Sequence, residues 1–275
     1  MKLKLIRNAT LRLDYAGRTI LIDPDLGAPA SRRSFTGRAQ NPMVPLPEPI
    51  EAITAEVDLV IISHLHADHF DETAKQVLPK DLPVICQPGQ EQVLAEAGFR
   101  DVTPVDCYLR LGPIVLKRHP AQHGTGAVVA TMGPVMGLSF EAPGEPTLYW
   151  CGDSVLYPPL RDAIAATRPD VIVSHSGGAM WDGALIIMDA AQTIELASEF
   201  PQARVIATHL EALDHCTVSR AELRKAAKEH GIDSRRLLIP ADGETLEMDV
   251  PPSPNLSAAG PTPSRRSPGL RNCRI

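Results

Sequence analysis

One stretch constrains this chain more than any other: Ile61-Ile62-Ser63-His64-Leu65-His66-Ala67-Asp68-His69-Phe70-Asp71. The apolar residues Leu59 to Ile62 read as a buried strand, and three of the nine histidines follow within six residues of one another. Side chains alternate along extended backbone, so His64 and His66 project to one side of the strand end, where two imidazoles can bind one metal ion. Asp68 and His69 then turn with the chain and offer an oxygen and a nitrogen to a second ion nearby. Two neighbouring cations repel each other unless an anionic ligand is shared between them. Tyr149-Trp150-Cys151-Gly152-Asp153-Ser154 supplies a candidate, a carboxylate placed just past another apolar strand.

Around these motifs the pattern is mixed. Strands are expected at 3–7, 10–15, 18–22, 59–62, 84–86, 114–118, 148–151, 171–173 and 205–207, with Ala16-Gly17 turning a hairpin. Helices are expected at 72–78, 91–97, 190–198 and 220–230, which makes the class mixed α/β. A Pro-rich loop over 24–49 is long enough to be a binding element, so it is a candidate wall of the site. Pro251-Pro252-Ser253-Pro254 opens a segment rich in Pro, Ser and Arg with few apolar residues. The expected organisation is one domain over 1–249 and a disordered tail over 250–275.

Composition excludes some functions. Hydrophobic residues are 44% and charged residues 22% of 275, ordinary for a globular protein, and no apolar run approaches the ~20 residues that span a bilayer. Residues 1–8 interleave charges with apolar residues and do not read as a signal peptide, so the expected location is cytoplasmic, with no membrane partner. The tail holds four arginines and no acid; the remainder carries 23 basic against 33 acidic residues. An acidic body is a poor platform for nucleic acid, and a small-molecule substrate is the expected partner. A symmetric homo-oligomer is compatible with this size. The scattered Cys86, Cys107, Cys151, Cys216 and Cys273 contain no CxxC knuckle and suggest no disulfide framework.

Taken in order, Leu21-Ile22-Asp23-Pro24, the HxHxDH segment, Gln122-His123-Gly124, Gly152-Asp153-Ser154, Ser176-Gly177-Gly178-Ala179 and Thr208-His209-Leu210-Glu211-Ala212-Leu213-Asp214-His215-Cys216 resemble the metallo-β-lactamase fold superfamily. Within it, the chain resembles the divergent hydrolase branch of the ascorbate-6-phosphate lactonases. The resemblance spans residues 1 to about 249. It implies a four-layer αββα sandwich of two mixed sheets with helices outside. It also implies His64, His66 and His123 on a first metal, Asp68, His69 and His209 on a second, and Asp153 between them, with room for a bridging hydroxide. Asp23 would orient a ligand histidine from behind.

Some positions have competing readings. His119 competes with His123, but Gly124-Thr125-Gly126 suits a strand end opening onto a site, which favours His123. His175 is either a hydrogen-bonded wall residue or a substrate contact. His215 is a candidate proton or hydrogen-bond donor to substrate, against a packing role, and His230 is read as a helix-end or surface residue. Gly177-Gly178 is read as a turn, with backbone N–H groups offered to an anion as the alternative. Cys151 is read as structural.

Hydrolysis is the implied reaction, with Asp68 orienting the attacking hydroxide and His215 aiding the leaving group. Two divalent ions are expected. Zinc suits imidazole and carboxylate ligands, with manganese or iron as alternatives. A small phosphoester or lactone is the expected substrate. An iron-dependent oxygenase on the same fold is the second reading, and a non-catalytic metal-binding module the third.

Overall fold

A computed structural model describes residues 1–249. The tail expected over 250–275 lies outside the described residues. The chain opens with an antiparallel meander, β1 (Lys2–Arg7), β2 (Thr10–Tyr15) and β3 (Arg18–Ile22). It continues through parallel strands β4 (Leu59–Ile62), β5 (Val84–Cys86) and β6 (Val102–Pro104). Helices α1 (Ile50–Thr54), α2 (Glu72–Val77) and α3 (Glu91–Glu96) lie in the connections.

A second sheet is built from β7 (Tyr108–Leu111), β8 (Ile114–Pro120), β9 (Met136–Glu141), β10 (Leu148–Trp150) and β11 (Val171–His175). A short hairpin of β12 (Met180–Trp181) and β13 (Ala184–Leu185) stands apart. Strands β14 (Arg204–Thr208) and β15 (Leu237–Leu238) complete this sheet, and β16 (Thr245–Glu247) returns to pair with β1. The orders are β16-β1-β2-β3-β4-β5-β6 and β15-β14-β11-β10-β9-β8-β7. Helices α4 (Val128–Met132), α5 (Pro158–Thr167), α6 (Ala190–Glu199) and α7 (Arg220–Glu229) belong to the second half.

Three apolar clusters stack in layers. Alternate residues of both sheets, among them Leu11, Leu13, Ile61, Leu138, Trp150, Val171 and Val173, form the core between them. The opposite face of the first sheet, through Val60, Ile62 and Val84, packs on Ile53, Ala74 and Leu94 of α1 to α3. That of the second, through Ile172 and Val205, packs on Leu160, Ile194 and Leu223 of α5 to α7. This is the αββα arrangement expected from the resemblance. The Tyr15 hydroxyl, fully buried, links the sheets by donating to one of two carbonyls, Phe140 or Pro146, each 2.9 Å away.

Helix starts follow local chemistry. Asp71 and Asp189 cap α2 and α6, and Ser219 with Glu222 forms a capping box on α7, a device contributing about 1 kcal/mol. Strands 10–15, 18–22, 59–62 and 84–86 match expectation to the residue. Strand β11 runs two residues beyond the expected 171–173 and reaches His175, a difference that matters below.

The Pro-rich loop is held by a buried cation rather than by regular structure. The Arg7 guanidinium, fully buried, donates to the carbonyls of Asp25 at 2.9 Å, Gly27 at 3.0 Å and Val44 at 2.9 Å. Arg32 pairs with both Asp25 carboxylate oxygens at 2.5 and 2.8 Å. Among the described residues, no helix is long and apolar enough to cross a membrane.

Candidate metal centre

The HxHxDH segment leaves the buried end of β4 and is pinned from below by Asp23, which ends β3 next door. One Asp23 oxygen accepts the Ser63 backbone N–H at 2.7 Å, and the other lies 2.7 Å from both Ser63 Oγ and His69 Nδ1. A serine hydroxyl has one proton; donated to Asp23, it leaves Oγ to accept from His64 Nδ1–H, 2.8 Å away. His64 and His69 therefore both carry their proton on Nδ1 and turn Nε2 into the site. His123 reaches the same state through its Nδ1–H, which donates to the Ile186 carbonyl at 2.8 Å. Such partners behind an imidazole fix its tautomer and orientation for ligation.

Asp153, His175 and His209 come from the ends of β10, β11 and β14, which run parallel and so deliver their side chains to one edge. His209 takes a left-handed backbone (φ 60°), and its N–H is held by the Asn8 carbonyl at 2.9 Å. Asn8 also donates its side-chain amide to the Asp68 carbonyl at 3.1 Å, so one residue of the first hairpin ties two site loops together.

Two ligand-like groups result. His64, His66 and His123 form one; His69, Asp153, His175 and His209 form the other. Asp153 faces both. Its Oδ2 lies 3.1 Å from His69 Nε2, 3.3 Å from His123 Nε2 and 3.8 Å from His64 Nε2, while Oδ1 lies 3.8 Å from His209 Nε2. Asp68 Oδ2 sits 3.6 Å from His69 Nε2 and 3.3 Å from His209 Nε2. All seven expected ligand residues thus converge.

The electrostatics fit a cationic occupant. Burial favours neutral Asp68 and Asp153, yet the surrounding imidazoles outweigh it and hold both carboxyls well below the usual range. Burial likewise opposes charge on His69 and His209, but the carboxylates, Asp153 foremost, push both well above the ordinary histidine value. Two buried carboxylates thus demand positive charge, which protons on these rings or divalent ions can supply. The buried His209 Nε2 makes no well-aligned hydrogen bond and faces the Asp68 carboxylate at 3.3 Å, as suits a ligand atom.

His175 was not among the expected ligands. Fully buried, it places Nδ1 2.5 Å from Asp153 Oδ1, while Nε2 has no partner. Burial lowers its pKa, so the neutral ring donates Nδ1–H to the carboxylate. The signal was strand parity: Val171 and Val173 face the inter-sheet core, and a strand continued by two residues points His175 the same way.

His119 stays apart. It lies within β8, its Nε2 2.8 Å from Ser139 Oγ and its ring 4.9 Å from that of Tyr149; burial pushes its pKa down to about 4. Accordingly, His123→Gln is expected to weaken metal binding about 100-fold and His119→Gln to leave it intact, as measured by metal retained after dialysis. His215, buried, lines the pocket with its ring 4.8 Å from that of Phe35. His230 ends α7 and bonds its own helix through the Ala226 carbonyl.

The alternative for Gly177-Gly178 is corrected. The Gly178 N–H donates to the Met188 carbonyl at 2.9 Å, and Gly177 packs against the His209 backbone, so the pair is a close-packed turn rather than an anion cradle. Cys151 is fully buried and its thiol is pushed up by that burial, in keeping with a structural role.

Above the two groups lies a cavity of about 260 Å³. Its lining includes the polar His66, Asp68, His123, Asp153 and His215 and the apolar Phe35, Met132, Trp181 and Ile186. Phe35 comes from the Pro-rich loop, Met132 from α4, Trp181 from the β12–β13 hairpin and Ile186 from just after it, and among the described residues no Lys or Arg lines the cavity.

Residues 18–210 match the family described as the beta-lactamase superfamily domain. The chain belongs to that superfamily. It is 36% identical over 252 residues to the UPF0173 protein YddR of Bacillus subtilis, covering 89% of this chain and 99% of that one. Among solved structures, an isothiocyanate hydrolase from Delia radicum gut bacteria is 36% identical, with a TM-score of 0.85 over 91% of this chain and 100% of the other. A possible metal-dependent hydrolase from Veillonella parvula is 33% identical, with a TM-score of 0.87 over 90% and 99%. With several further UPF0173 relatives described as metal-dependent hydrolases, these place the chain as a metal-dependent hydrolase of the superfamily. The narrower likeness to ascorbate-6-phosphate lactonases is not carried by these relatives.

Proposed function

We propose that the protein hydrolyses a small uncharged electrophile at two divalent ions, most simply zinc, held by His64, His66 and His123 on one side and Asp68, His69 and His209 on the other, with Asp153 shared. The observation that carries this is two imidazole groups facing one buried carboxylate at a pocket that, among the described residues, no Lys or Arg lines. Bound there, the ions would supply an activated water and polarise the substrate.

The residues themselves define the rest. Asp68 accepts a hydrogen bond from the attacking water and so aims it. His215, whose pKa burial pushes down to about 4, is neutral near pH 7 and offers an N–H to a substrate heteroatom rather than a positive charge. Two divalent ions more than offset the two carboxylates, so the floor itself does not reject an anion. Among the described residues the lining adds no Lys or Arg to hold a phosphate and is rich in apolar side chains, which supports a lactone ahead of a phosphoester, the two substrates expected from sequence. The pocket also admits an isothiocyanate, the substrate class named for the relative from Delia radicum gut bacteria. There, water adds across the N=C=S carbon, the nitrogen takes a proton, and C–N cleavage releases an amine and carbonyl sulfide.

A panel of benzyl isothiocyanate, γ-butyrolactone and bis(p-nitrophenyl) phosphate tests this reading. Turnover of a neutral substrate at least about 100-fold above the diester, abolished by chelation and restored by zinc, is expected. A preference for the diester would overturn it.

A further inference from the structure

The pocket lining combines the ligand-like His66, Asp68, His123 and Asp153 with the apolar Phe35, Met132, Trp181 and Ile186. What holds Phe35 in place is a residue adjacent to His215. The Asp214 carboxylate, 2% exposed, accepts the backbone N–H groups of Phe35 at 3.0 Å and Thr36 at 3.1 Å, the Thr36 hydroxyl at 2.6 Å, the Asn41 side-chain amide at 2.8 Å and the Ser34 hydroxyl. Asn41 Oδ1 in return accepts the Asp214 N–H at 2.8 Å. Five donors from one loop converge on a single carboxylate from the opposite half of the chain.

The consequence falls on Phe35. Its ring stands edge-on to His215, with centroids 4.8 Å apart, and to Trp181, with centroids 6.2 Å apart at 69°. Trp181 belongs to the β12–β13 hairpin, which is tied back by the Met180 N–H donating to the His215 carbonyl at 3.1 Å. The two rings thus make a corner that lines the cavity together with Met132 and Ile186.

The geometry points to a subsite for the substrate's substituent: Phe35 and Trp181 take an apolar aryl or alkyl group, and Asp214 is the positioning residue that keeps Phe35 in the corner. The substrate then has a small polar electrophilic head toward the imidazoles and an apolar tail toward the rings. This rests on the proposed hydrolysis of an uncharged substrate, but the corner is testable without turnover.

The probe is N-benzylacetamide, neutral and unreactive, compared with N-methylacetamide by tryptophan fluorescence on the metal-loaded protein. Trp150 is buried in the core, so the Trp181→Phe protein identifies the responding ring. N-benzylacetamide is expected to bind at least about tenfold more tightly than N-methylacetamide, and Phe35→Ala and Asp214→Asn to remove that preference while Phe35→Leu keeps most of it. In parallel, the ratio of kcat/KM for benzyl over methyl isothiocyanate should fall about tenfold in Phe35→Ala, through KM. Equal binding of the two amides, or a preference that survives Phe35→Ala, would overturn the subsite. A retained amide preference with no isothiocyanate turnover would refute isothiocyanate hydrolysis and leave the subsite standing. Phe35 is half-buried, so its variants keep the test decisive if Asp214→Asn fails to fold.

Discussion

The Asp153→Asn protein is expected to retain at most one divalent ion per chain and to lose about 1,000-fold or more in turnover. Asparagine keeps the volume of aspartate and removes the charge from a carboxylate whose oxygens face both imidazole groups. The loss spreads further, because His175 and His69 both lie within hydrogen-bond distance of this carboxylate, at 2.5 and 3.1 Å. Metal analysis after dialysis, paired with kcat on the preferred substrate, measures the effect. Two ions retained with more than about a tenth of wild-type turnover would show that Asp153 is not shared.

A second large effect is expected at a residue that never touches substrate. An alanine Cβ at Gly177 would fall well inside van der Waals contact of the His209 carbonyl oxygen and 2.9 Å from Cys216 Sγ. The Gly177 carbonyl meanwhile accepts the N–H groups of Thr217 at 2.9 Å and Val218 at 3.0 Å, so the turn cannot move away freely. Gly177→Ala should therefore destabilise the fold by about 3 kcal/mol in denaturant unfolding, and displace His209 enough to weaken metal retention. A variant with unchanged midpoint and metal content would contradict the packing described here.

Much of the site was legible because strand ends announce themselves. Leu59 to Ile62 is a wholly buried strand, and the histidines begin where it stops, so the register of the strand already aims His64. Asp153 could be read in the same way, and His123 separated from His119 because glycines mark the loop that follows β8. His175 was missed for the opposite reason: the apolar run ends at Val173, but the strand does not, since Ser174 and His175 remain paired with Ala207 and Thr208 of β14. Strand pairing overrode the side-chain pattern. Asn8 and Asp214 were illegible as site residues because each acts on a partner remote in sequence, Asn8 on Asp68 and His209, Asp214 on residues 34–41. Neither residue type nor spacing encodes a contact that only the closed sandwich creates. The same limit applied to the substrate, where the absence of Lys and Arg from the lining, among the described residues, became visible only once distant segments met.

Whether one carboxylate is shared by two metal ions can be seen by anomalous diffraction from crystals of the zinc-loaded protein. Two peaks about 3.5 to 4 Å apart are expected, one among His64, His66 and His123, the other among Asp68, His69 and His209, each within bonding distance of Asp153. A single peak in a fully active protein, or two peaks with Asp153 bound to neither or only one, would contradict that sharing.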